Sequence, residues 1–388
     1  MTTMEDKIKR LTTENEQLVQ RWINKMNEEA EKMNEATQFY ESALEQARST
    51  IDKQKLSKKQ LKDDQSSGKT PNMPNYPLTR IVPPEKASKK VNAHDTEIHC
   101  IAVSSTGSIF ATGGADKKVR LFDAKTGHSL HSLSGALQTI TSIAFNITDD
   151  LVLGTCTDNA TRLWSLSTHR LKQTLTGHIG KVYAAKFTAD SKKVLSGSHD
   201  RTLKVWDLQK GYNIRTIFTF SSCNDLCLMD PDGQTVISGH LDNTIRLWDT
   251  CSGTGIKELT GIHNGQITSV CMSPDGVSLL SSSRDNTLKI IDVRTYEVLK
   301  SFQADSYKNG VNWARSTFSP DGRYVAAGSA DGAVYIWNTR TGNLEKTVAD
   351  HSSVVCGVAW NPSGEHLYSA EKNKIVCIYD TSKDARSR

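Results

Sequence analysis

Ser196-Gly197-Ser198-His199-Asp200-Arg201-Thr202-Leu203-Lys204-Val205-Trp206-Asp207 is a stretch that returns, in recognisable form, six more times along the 388-residue chain. The other copies end in Leu121-Phe122-Asp123, Leu163-Trp164-Ser165, Leu247-Trp248-Asp249, Ile290-Ile291-Asp292, Ile336-Trp337-Asn338 and Ile378-Tyr379-Asp380. The penultimate residues of successive copies are 42, 42, 42, 43, 46 and 42 positions apart. A repeat of about 40 to 45 residues that ends in Trp-Asp is typical of a four-stranded unit. The sequence therefore predicts seven such units.

Each copy contains the signals of a β-hairpin. A turn residue precedes the hydrophobic strand in every copy: Asp116, Asp158, Asp200, Asp242, Asp285, Asp331 and, in the last copy, Asn373. Asp and Asn suit tight turns, and Thr202-Leu203-Lys204-Val205-Trp206 has the composition of a strand. These copies resemble the WD40 repeat. They predict an all-β seven-bladed WD40 β-propeller over residues 86–388.

His178, Ser196, Asp200 and Trp206 match the structural tetrad of the WD40 family, a hydrogen-bonded chain across one blade. Ser, His and Asp also occur together in nucleophilic triads, but the blade-length recurrence of these residues favours the structural role. The histidine position is filled in alternate repeats, by His94, His178, His263 and His351.

Composition disfavours several functional classes. The net charge of +5 comes without a basic patch interleaved with aromatic residues, so nucleic-acid binding is not expected. Eight cysteines lack a Cys-x-x-Cys pair, which indicates reduced core residues rather than a metal site. We found no phosphate-binding loop or nucleophile elbow, so we expect neither a cofactor nor enzymatic activity. Without a signal peptide or a long apolar run, the expected location is cytoplasmic.

Residues 1–62 are free of Pro and Gly and rich in helix-forming residues, so they predict a helix before the propeller. Leu11, Asn15, Leu18 and Trp22 follow the three-and-four spacing of a coiled-coil seam, and a seam Asn favours two strands. We therefore expect an N-terminal α-helical coiled coil that forms a homodimer. The alternative is a single amphipathic helix that lies on the propeller. The Lys-rich end of this segment is either a solvated face or a contact for anionic lipid.

Residues 63–85 form a Pro-rich linker in this interpretation, with five of the nine prolines of the chain. The seventh repeat ends shortly after Tyr379 and leaves no room for its outermost strand. We expect Lys86 to Val91 to supply that strand and close the ring, since closure removes an exposed sheet edge.

The top-face loops of the propeller are the expected binding surface. By repeat position, we place six residues there: Lys181, Tyr183, His199, Arg201, Asp225 and Arg284. Their cations and aromatic ring suit acidic or aromatic peptide motifs. Arg201 is equally compatible with a turn-stabilising role. Trp313, beside an insertion in the sixth repeat, is either a core residue or an exposed anchor.

Two features carry a sharper resemblance than the repeat alone. The segment Thr13-Glu14-Asn15-Glu16-Gln17-Leu18-Val19-Gln20-Arg21-Trp22 resembles the coiled coil of the autophagy-related protein sixteen-like family. Blade segments including Ser221-Ser222-Cys223-Asn224-Asp225 and Ser281-Ser282-Ser283-Arg284-Asp285 are similar to the propeller of that family.

This resemblance implies a non-catalytic autophagy adaptor on pre-autophagosomal membranes. It would hold the conjugate of autophagy proteins five and twelve where a ubiquitin-like protein is attached to phosphatidylethanolamine. It also implies that a phosphoinositide-binding propeller protein and a small GTPase bind the coiled coil, for which the candidate contacts are Glu28, Glu29, Glu31 and Glu35.

The family's conjugate-binding helix has no counterpart near Met1, so the sequence is expected to be a shortened isoform or an incomplete gene model, with recruitment of the conjugate in question. The competing interpretation is a generic WD40 interaction scaffold, or a ubiquitin-ligase substrate receptor, outside autophagy.

Overall fold

The computed structural model describes residues 81–382 and, before them, scattered positions between Arg10 and Glu35. Every described position in that earlier stretch is helical, and Leu18 is 59% exposed. Leu11, Asn15 and Trp22, as well as most of the predicted linker, lie outside the described residues. The coiled coil and the linker therefore stay predictions. None of the described helical residues belongs to a helix long and apolar enough to cross a membrane.

Residues 81–382 contain seven four-stranded antiparallel sheets, which confirms the prediction of a seven-bladed β-propeller. Blade 1 contains β2 (Ile98–Val103), β3 (Ile109–Gly114), β4 (Val119–Asp123) and β5 (Ser129–Leu133). Blade 2 contains β6 (Ile140–Phe145), β7 (Leu151–Cys156), β8 (Ala160–Ser165) and β9 (Leu171–Thr176). Blade 3 contains β10 (Val182–Phe187), β11 (Lys193–Ser198), β12 (Thr202–Asp207) and β13 (Tyr212–Phe218).

The remaining blades repeat this order from the inner strand outward. Blade 4 contains β14 (Cys223–Leu228), β15 (Thr235–His240), β16 (Ile245–Asp249) and β17 (Gly255–Leu259). Blade 5 contains β18 (Ile267–Met272), β19 (Ser278–Ser283), β20 (Leu288–Asp292) and β21 (Val298–Phe302). Blade 6 contains β22 (Ser316–Phe318), β23 (Tyr324–Gly328), β24 (Val334–Asn338) and β25 (Leu344–Val348). Blade 7 contains β26 (Val355–Trp360), β27 (His366–Glu371), β28 (Ile375–Asp380) and β1 (Lys89–Asn92).

The ring is closed by a strand from the N-terminal side of the propeller. β1 pairs antiparallel with β28, with Lys89 opposite Ile378 and Asn92 opposite Ile375. The segment before β1 continues the association, since the Val82 N–H donates to the carbonyl of Thr381 at 2.8 Å. Blade 7 is thus built from both ends of the propeller, and β28 has no free edge along this pairing.

The core lies between adjacent blades rather than inside one sheet. Each middle strand is covered by a neighbouring blade on both faces, so all six residues of β7 are buried. Outermost strands behave differently: in β5, β17, β21 and β25 only the last residue is buried. Trp164, Trp206 and Trp337 are among the largest fully buried side chains. The penultimate aromatic of the repeat is therefore a packing element between blades.

One arginine joins four blades inside the central channel. Arg315 donates from its guanidinium to the carbonyls of Tyr183, Asn224 and Thr268, at 3.0, 3.0 and 2.7 Å. Its own N–H donates to the carbonyl of Cys356 at 3.1 Å. Because these carbonyls belong to blades 3, 4, 5 and 7, one side chain and its backbone tie blade 6 to most of the ring.

The outer edge of blade 3 receives a residue of the N-terminal helix. The Oδ1 of Asn34 accepts from the N–H of Thr216 at 2.9 Å, and its Nδ2 donates to the Thr216 carbonyl at 3.3 Å. The amide therefore pairs with an edge strand as a neighbouring strand would. Asn34 is thus a point of contact between the described helical positions and the propeller.

Candidate functional site

The predicted tetrad of blade 3 forms one hydrogen-bonded chain. The indole N–H of Trp206 donates to Ser196 Oγ at 2.8 Å, and Ser196 Oγ lies 2.7 Å from His178 Nε2. His178 Nδ1 lies 2.8 Å from Asp200 Oδ2. Since Asp200 can only accept when ionised, Nδ1 carries the proton and Nε2 accepts from Ser196.

Burial and hydrogen bonding set the charges of this chain. Burial lowers the pKa of His178, with the Asp200 carboxylate opposing it, so the imidazole is neutral at pH 7. Burial alone would raise the pKa of Asp200, but hydrogen bonds from His178, Thr202 and the Ile179 N–H lower it to about 2. Ser196 is 0% exposed, so its hydroxyl is closed off from solvent. The geometry suits a structural hydrogen-bonded link across the blade rather than a catalytic nucleophile.

The other repeats with a histidine build related chains. His94 lies between Asp116 and Thr112, and His263 lies between Asp285 and Ser281, with Nδ1 to carboxylate distances of 2.9 and 3.0 Å. In blade 7 the carboxylate next to His351 Nδ1 is Glu371 at 3.2 Å, not the turn residue Asn373. In this blade the acidic residue is therefore at the end of β27 and not in the following turn, where the other blades have it.

Repeats without the histidine hold their turn Asp in another way. The residue four positions later reaches back to it: Arg162 to Asp158 at 2.7 Å, Arg246 to Asp242 at 2.8 Å, and the Tyr335 hydroxyl to Asp331 at 2.7 Å. In blade 4 the indole of Trp248 also donates to Ser238, whose Oγ lies 2.7 Å from His240 Nε2. His240 comes from β15 and partly replaces the missing histidine.

The top face is organised by one β-bulge in each of six inner strands. In each of these strands, the second residue has no partner in the pairing with the next strand. These residues are His99, Thr141, Tyr183, Asn224, Thr268 and Cys356. A bulge re-aims a side chain and leaves that residue outside the ladder. Arg315 uses the carbonyls of four of these residues, which is why its contacts converge on the centre of the ring.

A second ring surrounds the bulges. In every blade, the residue before the turn position donates its N–H to the carbonyl of a residue that precedes the inner strand. These donors are Ala115, Thr157, His199, Leu241, Arg284, Ala330 and Lys372. Since antiparallel hairpins alternate direction, these turns and the entries to the inner strands share one end of the ring. This end is the top face.

Four predicted binding residues lie exposed on that face. Lys181 precedes β10, and His199, Arg201 and Arg284 occupy the β11–β12 and β19–β20 turns. Lys181, Arg201 and Arg284 form no ion pair with the described residues. Arg201 has φ of 65°, so it also fills the left-handed position of its turn, as the turn-stabilising alternative held. Tyr183 is half-buried, with its ring edge-on to His199 at 6.2 Å.

Asp225 is the one predicted rim residue that the structure places elsewhere. It is 4% exposed and faces the channel, where its carboxylate accepts from the N–H groups of Leu226 and Val270, both at 2.9 Å. It also pairs with Arg315 at 3.1 Å. The rim and bulge positions of blade 4 are Ser222 and Asn224 instead. Compared with blade 3, blade 4 has one residue fewer before its inner strand β14 and one residue more in the β14–β15 turn. The two changes cancel in the spacing between tryptophans, so that spacing does not reveal the shift of β14.

Trp313 lies over the channel, in the irregular segment before β22. Its ring stacks on His99 at a centroid distance of 5.0 Å. The sequence does not decide between a core residue and an exposed anchor at Trp313, because the insertion in the sixth repeat removes the register that locates the other top-face residues.

Comparison with known proteins identifies the family. The model described as WD domain, G-beta repeat matches residues 85–123, 127–165, 169–207, 212–249, 255–292, 297–338 and 342–380. Protein tipD of Dictyostelium discoideum is 44% identical over 392 residues, which cover 97% of this chain and 63% of tipD. Autophagy-related protein 16 of Arabidopsis thaliana is 35% identical over 380 residues, covering 97% of this chain and 73% of that protein. The chain belongs to the Atg16 family of WD40-repeat proteins.

A shorter match supports the same family. Protein Atg16l2 of Homo sapiens is 39% identical over 116 residues, or 30% of this chain. Propellers of the WD40 and Atg16 type are typically non-catalytic scaffolds. Within residues 81–382 and the described helical positions, no three His, Cys, Asp or Glu side chains group closely enough to hold a metal ion. All eight cysteines are unpaired, and six are buried.

Exposed apolar side chains add to the top face of this Atg16-family propeller. Leu137 is 68% exposed and Ile179 is 86% exposed, at equivalent positions before the inner strands of blades 2 and 3. Leu241 is 38% exposed at the β15–β16 turn. Apolar residues next to unpaired cations are typical of a surface that binds protein.

Proposed function

We propose that the chain is an autophagy adaptor that helps to place the ubiquitin-like lipid-conjugation machinery on autophagosomal membranes. Its propeller binds partner peptides through the top face, and the adaptor supplies position rather than chemistry. It acts in the cytoplasm and binds pre-autophagosomal membranes peripherally.

The observation that carries this proposal is the extent of the family match. Similarity to Autophagy-related protein 16 covers 97% of this chain, so it includes helix as well as propeller. A generic WD40 scaffold would be expected to match over its repeats alone.

The top face supports the peptide-binding part. Lys181, Arg201 and Arg284 are exposed and unpaired among the described residues, while Leu137 and Ile179 offer apolar area. Arginine and aromatic anchors inside a polar rim are the usual components of a protein interface.

The helical segment completes the proposal. Its predicted seam, Leu11, Asn15, Leu18 and Trp22, would form the homodimer. Although no counterpart of the family's conjugate-binding helix lies near Met1, the same segment would bind the conjugate of proteins five and twelve. It would also bind a phosphoinositide-binding propeller protein and a small GTPase. The acidic residues Glu28, Glu29, Glu31 and Glu35 are the candidates for the last two contacts.

Light scattering on the full chain mixed with the purified five-twelve conjugate tests the adaptor role. We expect a mass that contains two copies of the chain and bound conjugate. Arg201→Glu is the matched control, because it changes the propeller rim and should leave this complex intact.

A chain that forms no complex at micromolar concentration would contradict the recruiting role. The interpretation as a WD40 scaffold or ubiquitin-ligase substrate receptor outside autophagy would then be preferred.

A further inference from the structure

The outer edge of blade 3 is covered, unlike the outer edges of the other blades. β13 has no exposed residue, whereas β5, β17, β21 and β25 expose every residue except the last. β1 and β9 also have exposed residues. An uncovered edge strand presents a row of unpaired N–H and C=O groups. β13 is therefore shielded by an element outside its own sheet, and Asn34 of the N-terminal helix is in contact with it.

The side chain of Asn34 stands where the peptide group of a neighbouring strand would be. Its Oδ1 accepts from the N–H of Thr216, and its Nδ2 donates to the carbonyl of the same residue. In an antiparallel strand the N–H and C=O of one residue point to the same side, so a single amide can satisfy both. Only Asn and Gln side chains carry a donor and an acceptor in this arrangement. The contact therefore selects an amide side chain.

Thr216 is held in place by its own sheet. Lys204, which lies opposite Thr216 on β12, is buried and donates from its Nζ to Thr216 Oγ1 at 2.8 Å. Thr216 itself is 4% exposed. Since the backbone that Asn34 meets is already fixed, little further order has to be gained when the helix docks.

A groove continues this surface from blade 3 to blade 4. Its volume is about 460 Å³, and Glu31 and Asn34 line it from the helix. Because these two residues are three positions apart, they lie on one face of the helix. Phe218, Phe220 and Trp248 line the groove from the propeller, with the two Phe rings edge-on at a centroid distance of 5.3 Å. The helix therefore faces an aromatic wall as well as an edge strand.

The charges that line the groove are complementary. Arg215 on β13 and Lys257 on β17 line it from the propeller, and Glu31 lines it from the helix. The third cation of the groove, Arg246, is already paired with Glu258 at 2.6 Å. Opposite charges across an interface fix the orientation in which its two sides meet.

The tether between the two elements favours the helix of the same chain over that of a second copy. About 50 residues separate Asn34 from Ile81, where the described propeller begins. A tether of that length gives an intramolecular site an effective concentration that approaches the millimolar range. A second copy at micromolar concentration would compete poorly with it.

We propose that β13 and this groove form an intramolecular docking site for the N-terminal helix, in which the Asn34 amide takes the place of an additional strand on blade 3. The docked helix closes the edge of β13 to strands of other chains. The inference does not depend on which partners the top face or the helix binds.

Hydrogen–deuterium exchange of the full chain at pH 7 tests the site. Asn34→Leu removes both hydrogen bonds, keeps the size of the side chain and favours the helix. We expect the Thr216 N–H, followed in peptides that span β13, to exchange about tenfold faster in this variant. The exposed outer strand β21 should show no change.

Two further variants separate the amide contact from other effects. Asn34→Asp should also speed exchange at Thr216, because its second oxygen is an acceptor that would face the Thr216 carbonyl. Lys32→Ala, at an exposed position of the same helix, is the matched control and should leave β13 unchanged.

Unchanged exchange of β13 in Asn34→Leu would overturn the docking site. So would an equal acceleration in β21, because it would show a general loss of stability. The protection of β13 should persist when the chain is diluted until light scattering detects only monomer. Protection that disappears on this dilution would overturn the intramolecular assignment and indicate the helix of a second copy.

Discussion

At the scale of single residues, this propeller depends on buried histidines that stay neutral. Burial lowers the pKa of His178, His240 and His351. For His240 the positive charge of Arg246 adds to that effect, and Asp242 opposes it. A neutral imidazole can donate from one nitrogen and accept at the other, which the chains through Ser196 and Ser238 require.

These shifts predict loss of stability in mild acid. A histidine whose folded pKa lies below its unfolded value of 6.5 takes up protons more readily when unfolded. Its contribution to stability is therefore complete above pH 6.5 and falls as the pH drops below that value. The Asp200 carboxylate, with a folded pKa of about 2, contributes above its unfolded pKa of 3.8 and is lost only as the pH falls towards 2. Between pH 7 and 5 the histidines dominate.

We expect His240→Gln to reduce the difference in melting temperature between pH 7 and pH 5, because the neutral amide has no proton to gain. The recovered stability at pH 5 should be about 1–2 kcal/mol. His128→Gln, on an exposed turn, is the matched control and should leave the pH dependence unchanged. Equal acid sensitivity in His240→Gln and the parent chain would show that another group titrates.

The structural role of a residue could be predicted from the sequence where the same position could be compared between repeats. The tetrad of His178, Ser196, Asp200 and Trp206 follows from repeat spacing, since the four positions recur together. Glu371 was not predictable, because the blade-7 acid left the turn position for the strand. Asp225 was misplaced because a one-residue loss and a one-residue gain cancel between neighbouring tryptophans.

At the scale of elements, blade 7 is the junction of the ring. The sequence predicts the closing strand at residues 86–91, and the structure has it at Lys89–Asn92. The prediction was possible because a seven-repeat ring that lacks one outer strand must obtain it from the other end. The sequence did not predict the inner edge of blade 6 in the same way. β22 has only three residues there, Arg315 lies in the channel, and Trp313 lies over it.

Removing β1 should cost far more stability than removing the residues before it. We compare chains that begin at residue 94 and at residue 76. Deletion through residue 93 exposes the edge of β28 and removes the pairing from Lys89 to Asn92, so its melting temperature should be lower by at least about 5 °C. Thermal unfolding of both chains measures the difference, and equal melting temperatures would contradict closure by this strand.

At the scale of the whole molecule, the two ends of the ring differ in what they offer. The top carries exposed Lys181, Arg201 and Arg284, apolar Leu137 and Ile179, and a small pocket that Trp313 lines. Repeat number and hydrophobic periodicity predicted the ring, but the pocket required the structure. It arises where residues from blades 3, 4 and 6 meet, and no local sequence pattern records that contact.

The central claim is that the top face recruits partners of an Atg16-family adaptor. Its most direct test is quantitative mass spectrometry of proteins retained by the full chain from cell extract. The top variant carries Lys181→Glu, Arg201→Glu and Arg284→Glu. The matched control carries three charge reversals on exposed residues of the opposite end, Lys125→Glu, Lys192→Glu and Arg340→Glu.

We expect the top variant to lose propeller-bound partners by at least about tenfold, because like charges across an interface are repulsive. It should keep the five-twelve conjugate, and the control should keep both sets. A top variant that retains the same proteins as the parent chain would contradict the account.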